Sequence, residues 1–345
     1  MDADELKLRQ LAGQFLLAPS APVTVGRALC GLQAQFMKNA LHALAIRSGG
    51  PDPALVRRLF CKSWTLRGTV HIFPADELPL YLDDRLFRDD GWDAPSFWNQ
   101  RPDWPLTPAR QQELSALIRR LLATGPLPRE ALKRLCRENG MTAAEEAGMF
   151  HPWGGGVREL CERGFVHYLA QEEKVLALSP AVRPLPEAER ETILARRYFT
   201  HYAPATIRDA MYFFHTGAGR VKSWLAKLPV RETVFGGRTY FSLDGPEPAG
   251  DLPECLFLAG FDPLLLGHEK RESLFLEPDD RRAVFTLSGL VRPVLLLHGR
   301  AAGVWKQSGK QLRVTPFRPL GDAERAAVRR AADALWPQLR TLTIE

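Results

Sequence analysis

Gln33 and Gln35, within Leu32-Gln33-Ala34-Gln35, are the residues whose type and spacing point most directly to chemistry. A glutamine amide carries donors and an acceptor, and burying them without partners costs free energy. Their setting is a predicted helix corner. Val25, Leu29 and Leu32 share one face of a helix expected over 24–32, and Gly31 offers a break. Phe36, Ala40, Leu41 and Leu44 then recur at helical spacing in a second helix. Such a corner ordinarily takes small or capping residues. Two glutamines there imply that something polar meets them, either water or a ligand. A glutamine is no strong base, but its amide can hold a water by hydrogen bonds. Capping of the helix that starts at Phe36, or plain solvation, is the alternative reading.

The elements around this corner set its scale. The chain has 345 residues, room for two or more domains. It is 45% hydrophobic and 25% charged, as soluble globular proteins are. No window approaches the ~18 apolar residues of a membrane span. Residues 1–10 are acidic then basic with no apolar signal core, so no secretory segment is read and a cytoplasmic location is expected. Five scattered cysteines, at 30, 61, 136, 161 and 255, fit reduced thiols. The eight histidines are scattered too, and neither an HExxH helix nor a Ser-His-Asp signature is seen, so no metal and no cofactor is expected. Gly154-Gly155-Gly156 lacks the strand and the Lys-Ser/Thr of a nucleotide-binding loop. The net charge of +6 favours a polyanionic partner, and a solvated basic surface accounts for it equally well.

The chain repeats one theme: two or three helices, then a short two-stranded element. The first copy has helices at 6–16, 25–32, 36–48 and 53–60, then a strand or hairpin over 63–73 with Gly68 inside it. A helical connection over 75–89 and an irregular Trp/Pro-rich stretch over 91–108 follow. The second has helices at 111–123, 128–137 and 157–163 and a hairpin of 165–169 with 174–178. The third has helices at 187–201, 206–214 and 217–228 and a hairpin across Gly236-Gly237. Three helices and a β-wing make the winged-helix plan, whose third helix commonly enters a DNA groove. After a Gly/Pro/acid-rich linker at 244–251, apolar strands at 256–260, 283–287, 293–297, 299–305 and 311–317 read as a small barrel or sandwich closed by a helix over 322–339. The expected class is α+β: three tandem winged-helix motifs (1–105, 106–184 and 185–245) and a C-terminal antiparallel β-barrel (246–345).

Five motifs in order carry a resemblance. They are Gln33-Ala34-Gln35 with Ala40-Leu41-His42-Ala43-Leu44-Ala45-Ile46-Arg47; Arg67-Gly68-Thr69-Val70-His71; Tyr202-Ala203-Pro204-Ala205-Thr206; Gly260-Phe261-Asp262-Pro263-Leu264-Leu265-Leu266-Gly267; and Gly299-Arg300-Ala301-Ala302-Gly303-Val304-Trp305. Over nearly its whole length the chain resembles the AlkZ-like DNA glycosylases. The resemblance implies winged-helix units and a β-barrel curved around duplex DNA, removal of N7-alkylated purines, and unhooking of interstrand crosslinks. It implies that Gln33 and Gln35 match the family's catalytic Gln-x-Gln pair, where a related branch carries Gln-x-Asp. Such a site needs no strong base, because an N7-alkylated purine is cationic and already a good leaving group. Its bond to deoxyribose breaks toward an oxocarbenium ion, as glycosidic bonds do. Oriented water and aimed dipoles then suffice.

Other candidates are weighed beside the pair. Arg67, Thr69 and His71 alternate and share one face of a strand, which would bring Arg67 and His71 to phosphate or sugar, or else to solvent, and His71 itself reads as a hydrogen-bonded structural residue rather than a general acid. Asp262 starts a turn and caps Leu264 onward. His268, Lys270 and Arg271 form a basic cluster that reaches the minor groove or stays a solvated loop. Trp305 is core or lies near the site. Trp64, Trp98, Trp104, Trp153 and Phe150 stack on bases or pack inward. No heptad or dimer helix is seen, so a monomer is expected. A non-catalytic winged-helix DNA-binding protein or transcriptional regulator explains the same wings without needing the glutamines.

Overall fold

The computed structural model describes residues 2–65, 67–82 and 101–345. Trp98, the end of the connection expected over 75–89 and most of the irregular stretch expected over 91–108 lie outside the described residues. The chain forms two compact units: residues 1–33, 38–51 and 193–345 in the first, and 34–37 and 52–192 in the second. The segment expected as one unit over 1–105 therefore contributes to both, and the chain passes from one to the other between the two glutamines.

A two-residue strand, β1 (Leu32–Gln33), precedes that passage. In the second unit β2 (Phe60–Trp64) and β3 (Val70–Pro74) pair antiparallel, with Lys62 opposite Ile72 and Trp64 opposite Val70. The strands β4 (Leu127–Pro128), β5 (Val166–Leu169) and β6 (Val175–Leu178) extend this sheet in the order β3-β2-β5-β6-β4. Helices Pro108–Leu122, Arg129–Glu138 and Gly155–Glu162 bury Ile118, Leu132, Cys136 and Leu160 in the unit's core with Val166 and Leu176. Helix Ala143–Met149 was not expected: its Ala/Glu-rich sequence shows no clear apolar stripe, and Thr142 and Glu145 start it as a capping box. Inside the core, Trp104 Nε1 donates to Gln111 (3.1 Å), Gln111 Nε2 to Glu159 (2.5 Å) and Arg163 to Glu159 (2.6 Å). Buried polar groups persist only when linked in this way.

In the first unit, helices Glu187–His201, Ile207–Phe214 and Ala218–Leu225 are followed by a hairpin of β7 (Arg231–Phe235) and β8 (Arg238–Ser242). This is the expected order of elements. Gly236 and Gly237 at its tip both have positive φ (56° and 73°), the conformation that a two-residue hairpin turn demands. Tyr198, Tyr202 and Phe213 cluster beneath, with ring centroids 4.8–5.2 Å apart.

The C-terminal strands depart from expectation. The strands β9 (Cys255–Leu258), β10 (Val294–Leu297), β11 (Arg300–Ser308), β12 (Gln311–Pro316) and β13 (Thr341–Ile344) form an open sheet in the order β13-β12-β11-β10-β9. No barrel closure is found among the described residues, and β13 runs parallel to β12. Helix Asp322–Leu335 supplies the crossover that a parallel pair needs. That helix stops before Trp336-Pro337, as the steric restriction ahead of proline requires, which frees the chain to return as a strand. The strand expected over 283–287 is instead a helical turn, Arg281–Val284, followed by Phe285 in a single bridge to Val291.

One buried ion pair ties the first unit together. Arg47, at the end of helix Met37–Ser48, and Asp262 are both fully buried. Arg47 Nη2 donates to Asp262 Oδ1 (2.6 Å) and to Gln14 Oε1 (3.3 Å), and Nη1 donates to Asp262 Oδ2 (3.1 Å) and to the Ala43 carbonyl (3.0 Å). Asp262 also accepts from the Leu264 N–H (3.0 Å) and the Ala259 N–H (3.2 Å). The expected turn and cap at Asp262 are therefore present, with an arginine added. Breaking a buried pair strands a charge in low dielectric and costs about 3–5 kcal/mol. We expect Asp262→Ala to lose that much stability in urea denaturation. Combining Arg47→Met with Asp262→Asn leaves no buried charge and keeps an oxygen for Leu264, so the double variant recovers part of the loss.

Candidate active site

The corner is built from backbone outward. Helix Pro22–Ala28 ends before the expected position, because Cys30 and Gly31 take positive φ (54° and 83°). The Gly31 N–H donates back to the Gly26 carbonyl (2.9 Å), and the Tyr202 hydroxyl donates to the Leu29 carbonyl (2.9 Å). These bonds satisfy groups that a helix end leaves open. After β1, Ala34 is fully buried and donates its N–H to the Val70 carbonyl (2.8 Å). Gln33 is half-buried and Gln35 is exposed, and helix Met37–Ser48 begins two residues later. A buried alanine between the two glutamines gives the motif one anchored residue and two amides, Gln35 open to solvent.

Gln35 lies on the rim of a cleft of about 410 Å³ inside the second unit. Ala34, Phe36, Gly68, Thr69 and Val70 line the same side. Lys62 and Trp64, alternate residues of β2, make its floor with Tyr168, which pairs with Lys62 across β5. Arg129, Phe150, His151, Trp153, Gly154 and Lys174 complete it. The Arg158 guanidinium lies 4.5 Å from the Trp64 ring centroid, and Trp153 is 66% exposed. Of the aromatic candidates, Trp64 and Trp153 face the cleft, Phe150 is also part of the core, and Trp104 packs inward. Lys62, Tyr168 and Lys174 escaped the sequence reading. The period-two alternation of Lys62 with Trp64 was the available signal. The three glycines serve packing. A Cβ on Gly155 would sit 2.1 Å from the Gly148 carbonyl oxygen, and one on Gly156 2.3 Å from the Met149 sulfur.

Two histidines expected at DNA do not reach a surface. His71 is fully buried in β3, its Nδ1 3.1 Å from the Thr69 carbonyl and 3.2 Å from the Thr65 hydroxyl. Burial first, and then the nearby Arg67 charge, push its pKa down to about 3. It is a neutral structural residue, closed to phosphate. Its assumed shared face fails because Arg67 sits in the turn between β2 and β3, half-buried, and not on a strand. His268 is buried as well, its ring nitrogens 2.9 Å from the Tyr202 carbonyl and 3.2 Å from the Leu264 carbonyl. Two backbone acceptors hold it inside. Lys270 and Arg271 are exposed. Trp305 is core: its Nε1 donates to the Leu258 carbonyl (2.9 Å), and Phe257, His42 and Trp336 surround it.

The sequence matches the family described as DNA glycosylase AlkZ-like over residues 27–337. This chain belongs to the AlkZ-like DNA glycosylases. It is 30% identical over 336 residues to an interstrand DNA cross-link repair glycosylase of Streptomyces sahachiroi, covering 90% of this chain and 88% of that one. The solved structure of the Streptomyces sahachiroi DNA glycosylase AlkZ shares the fold, with a TM-score of 0.76, 23% identity, and coverage of 99% and 98% of the two chains. The mixed α+β architecture is thus the AlkZ-like one. No helix among the described residues is long and apolar enough to cross a membrane.

The burial of His71 in this AlkZ-like chain has a measurable sign. Its folded pKa lies below the ordinary 6.5, so between about 3 and 6.5 the unfolded chain binds the extra proton and stability falls as pH drops. His42, His167 and His201, also lowered chiefly by burial, act in the same direction. Between pH 6.5 and 5 the His71 share is about 2 kcal/mol. Urea denaturation at the two pH values is expected to show a smaller drop for His71→Gln than for the parent by about that amount.

Proposed function

We propose that this protein hydrolyses the N-glycosidic bond of N7-alkylated purines in duplex DNA and unhooks interstrand crosslinks, with a water held by Gln35 and Gln33. The observation that carries the reading is the exposed amide of Gln35 on the rim of a cleft, behind a buried and hydrogen-bonded Ala34. The name of the relative, an interstrand DNA cross-link repair glycosylase, supports the crosslink as substrate.

The chemistry follows from the lesion. Alkylation at N7 leaves the purine cationic. The C1′–N9 bond breaks, its electron pair neutralises the base at N9, and an oxocarbenium ion remains. A water oxygen bonds to C1′ and releases a proton to solvent. Gln35 accepts a hydrogen bond from that water and sets its direction of attack, and Gln33 anchors the water or the sugar. A neutral amide stabilises developing positive charge by its dipole without setting a fixed anion against the DNA phosphates. We read the helix–helix–helix–hairpin elements as winged helices that track the duplex, with Arg67, Lys270 and Arg271 on phosphates, the chain working as a cytoplasmic monomer with no cofactor.

Release of N7-methylguanine from a methylated duplex under single-turnover conditions tests the site. Gln35→Ala is expected to slow it by about 10²–10³-fold, the scale on which losing one aimed dipole acts. Unchanged release in that variant sinks the assignment. Wild-type protein that binds duplex DNA yet releases no base leaves the non-catalytic DNA-binding reading in its place. Lys270→Ala and Arg271→Ala are each expected to reduce the salt dependence of duplex binding by about one counterion.

A further inference from the structure

The cleft beside Gln35 is larger and more aromatic than a methylated purine needs. Its volume of about 410 Å³ falls in the range of about 300–1,000 Å³ that accommodates drug-sized ligands. Its floor sets an amine among rings: Lys62 stands opposite Tyr168 and one strand repeat from Trp64. Lys62 is 7% exposed, and among the described residues its Nζ has no hydrogen-bond acceptor. Burial draws its pKa below the usual lysine range, Glu172 pulls it back up, and Lys174 on the same cleft pushes it down further. The Lys62 stem is buried while its Nζ meets the solvent of the cleft, where a ligand oxygen can take the place of water. The wall offers Trp153, exposed and therefore available for stacking.

We propose that this cleft is a subsite for the non-nucleobase part of a bulky adduct: an aromatic ring carrying a carboxylate or carbonyl oxygen. The ring stacks on Trp64 and Trp153, and the oxygen accepts a hydrogen bond from Lys62 Nζ. Burying the ring offsets the cost of drawing the adduct away from water, and the amine gains the partner that the chain does not supply. The subsite rests on the glycosylase reading and adds to it a preference among lesions. Lys62 acts on the adduct, away from the bond that breaks.

Two duplexes with single N7-guanine monoadducts test this, one made with chlorambucil, which leaves a phenyl ring and a carboxylate, and one with mechlorethamine, which leaves neither. Single-turnover excision is expected to favour the chlorambucil adduct at least tenfold in the wild type. Lys62→Met is expected to cut that ratio about tenfold, equivalent to about 1.4 kcal/mol. Trp153→Ala is expected to cut it as well, and truncating a side chain so exposed leaves the fold intact. A wild type that excises both adducts without preference overturns the subsite and leaves the glycosylase reading standing. So do variants that slow both adducts equally, since Lys62 would then be serving a phosphate or the fold. A wild type that excises neither adduct nor N7-methylguanine overturns both.

Discussion

The first unit depends on burying one arginine. Arg47 emerges from the helix that follows the glutamine corner, in a position closed to water. An unpaired guanidinium there would cost several kcal/mol, so Asp262 must meet it, and Asp262 must in turn be held. The N–H groups of Leu264 and Ala259 hold it, which fixes the turn after β9, while Gln14 brings in the end of helix Ala3–Gly13. Arg47 Nε finds no acceptor among the described residues. That residual cost makes the arrangement an expensive one to keep, whose return is a single defined seating of the helix that carries the chain away from Gln35.

The second unit uses desolvation in the opposite way. Its core closes around the Gln111–Glu159–Arg163 chain, in which every link is a charge-assisted or amide hydrogen bond. His71 is stripped of water and kept neutral between two threonines. The same sheet then leaves Lys62 at the bottom of an open cleft, where its charge has only distant compensation. Cationic and aromatic groups are thus concentrated where a ligand can enter, while the Gln111–Glu159–Arg163 chain is satisfied within the core.

These features suit the proposed reaction, in which the substrate brings its own activation. A cationic leaving base needs orientation and dipoles more than acid–base strength. A half-buried and an exposed amide, fixed on either side of a buried alanine, offer that at low electrostatic risk beside a polyanion. A cleft open at its rim also suits a lesion tethered to both strands, which cannot swing fully out of the helix as a flipped base does.

The sequence determined by itself what local physics controls. Periodicity placed most of the helices, the Gly236-Gly237 pair placed one hairpin, and the polar Gln-x-Gln corner stood out because two such amides are unusual at a helix corner. Asp262 was legible as a turn residue because an Asp-Pro pair caps locally. Its partner was not, since Arg47 lies 215 positions away and nothing local binds the two. The tertiary structure alone decided which polar residues lose water. Alternation put His71 beside Arg67 on a common face, but packing buried the one and a turn displaced the other. His268 sat in a basic cluster by sequence and went inside because two carbonyls converge on it. The parallel β13 and the open sheet also waited on the fold, because a crossover's landing place depends on where its helix packs. Lys62 reads as an ordinary strand residue until Tyr168 and Trp64 close around it. Burial is a property of distant neighbours, and distant neighbours are what a one-dimensional pattern leaves out.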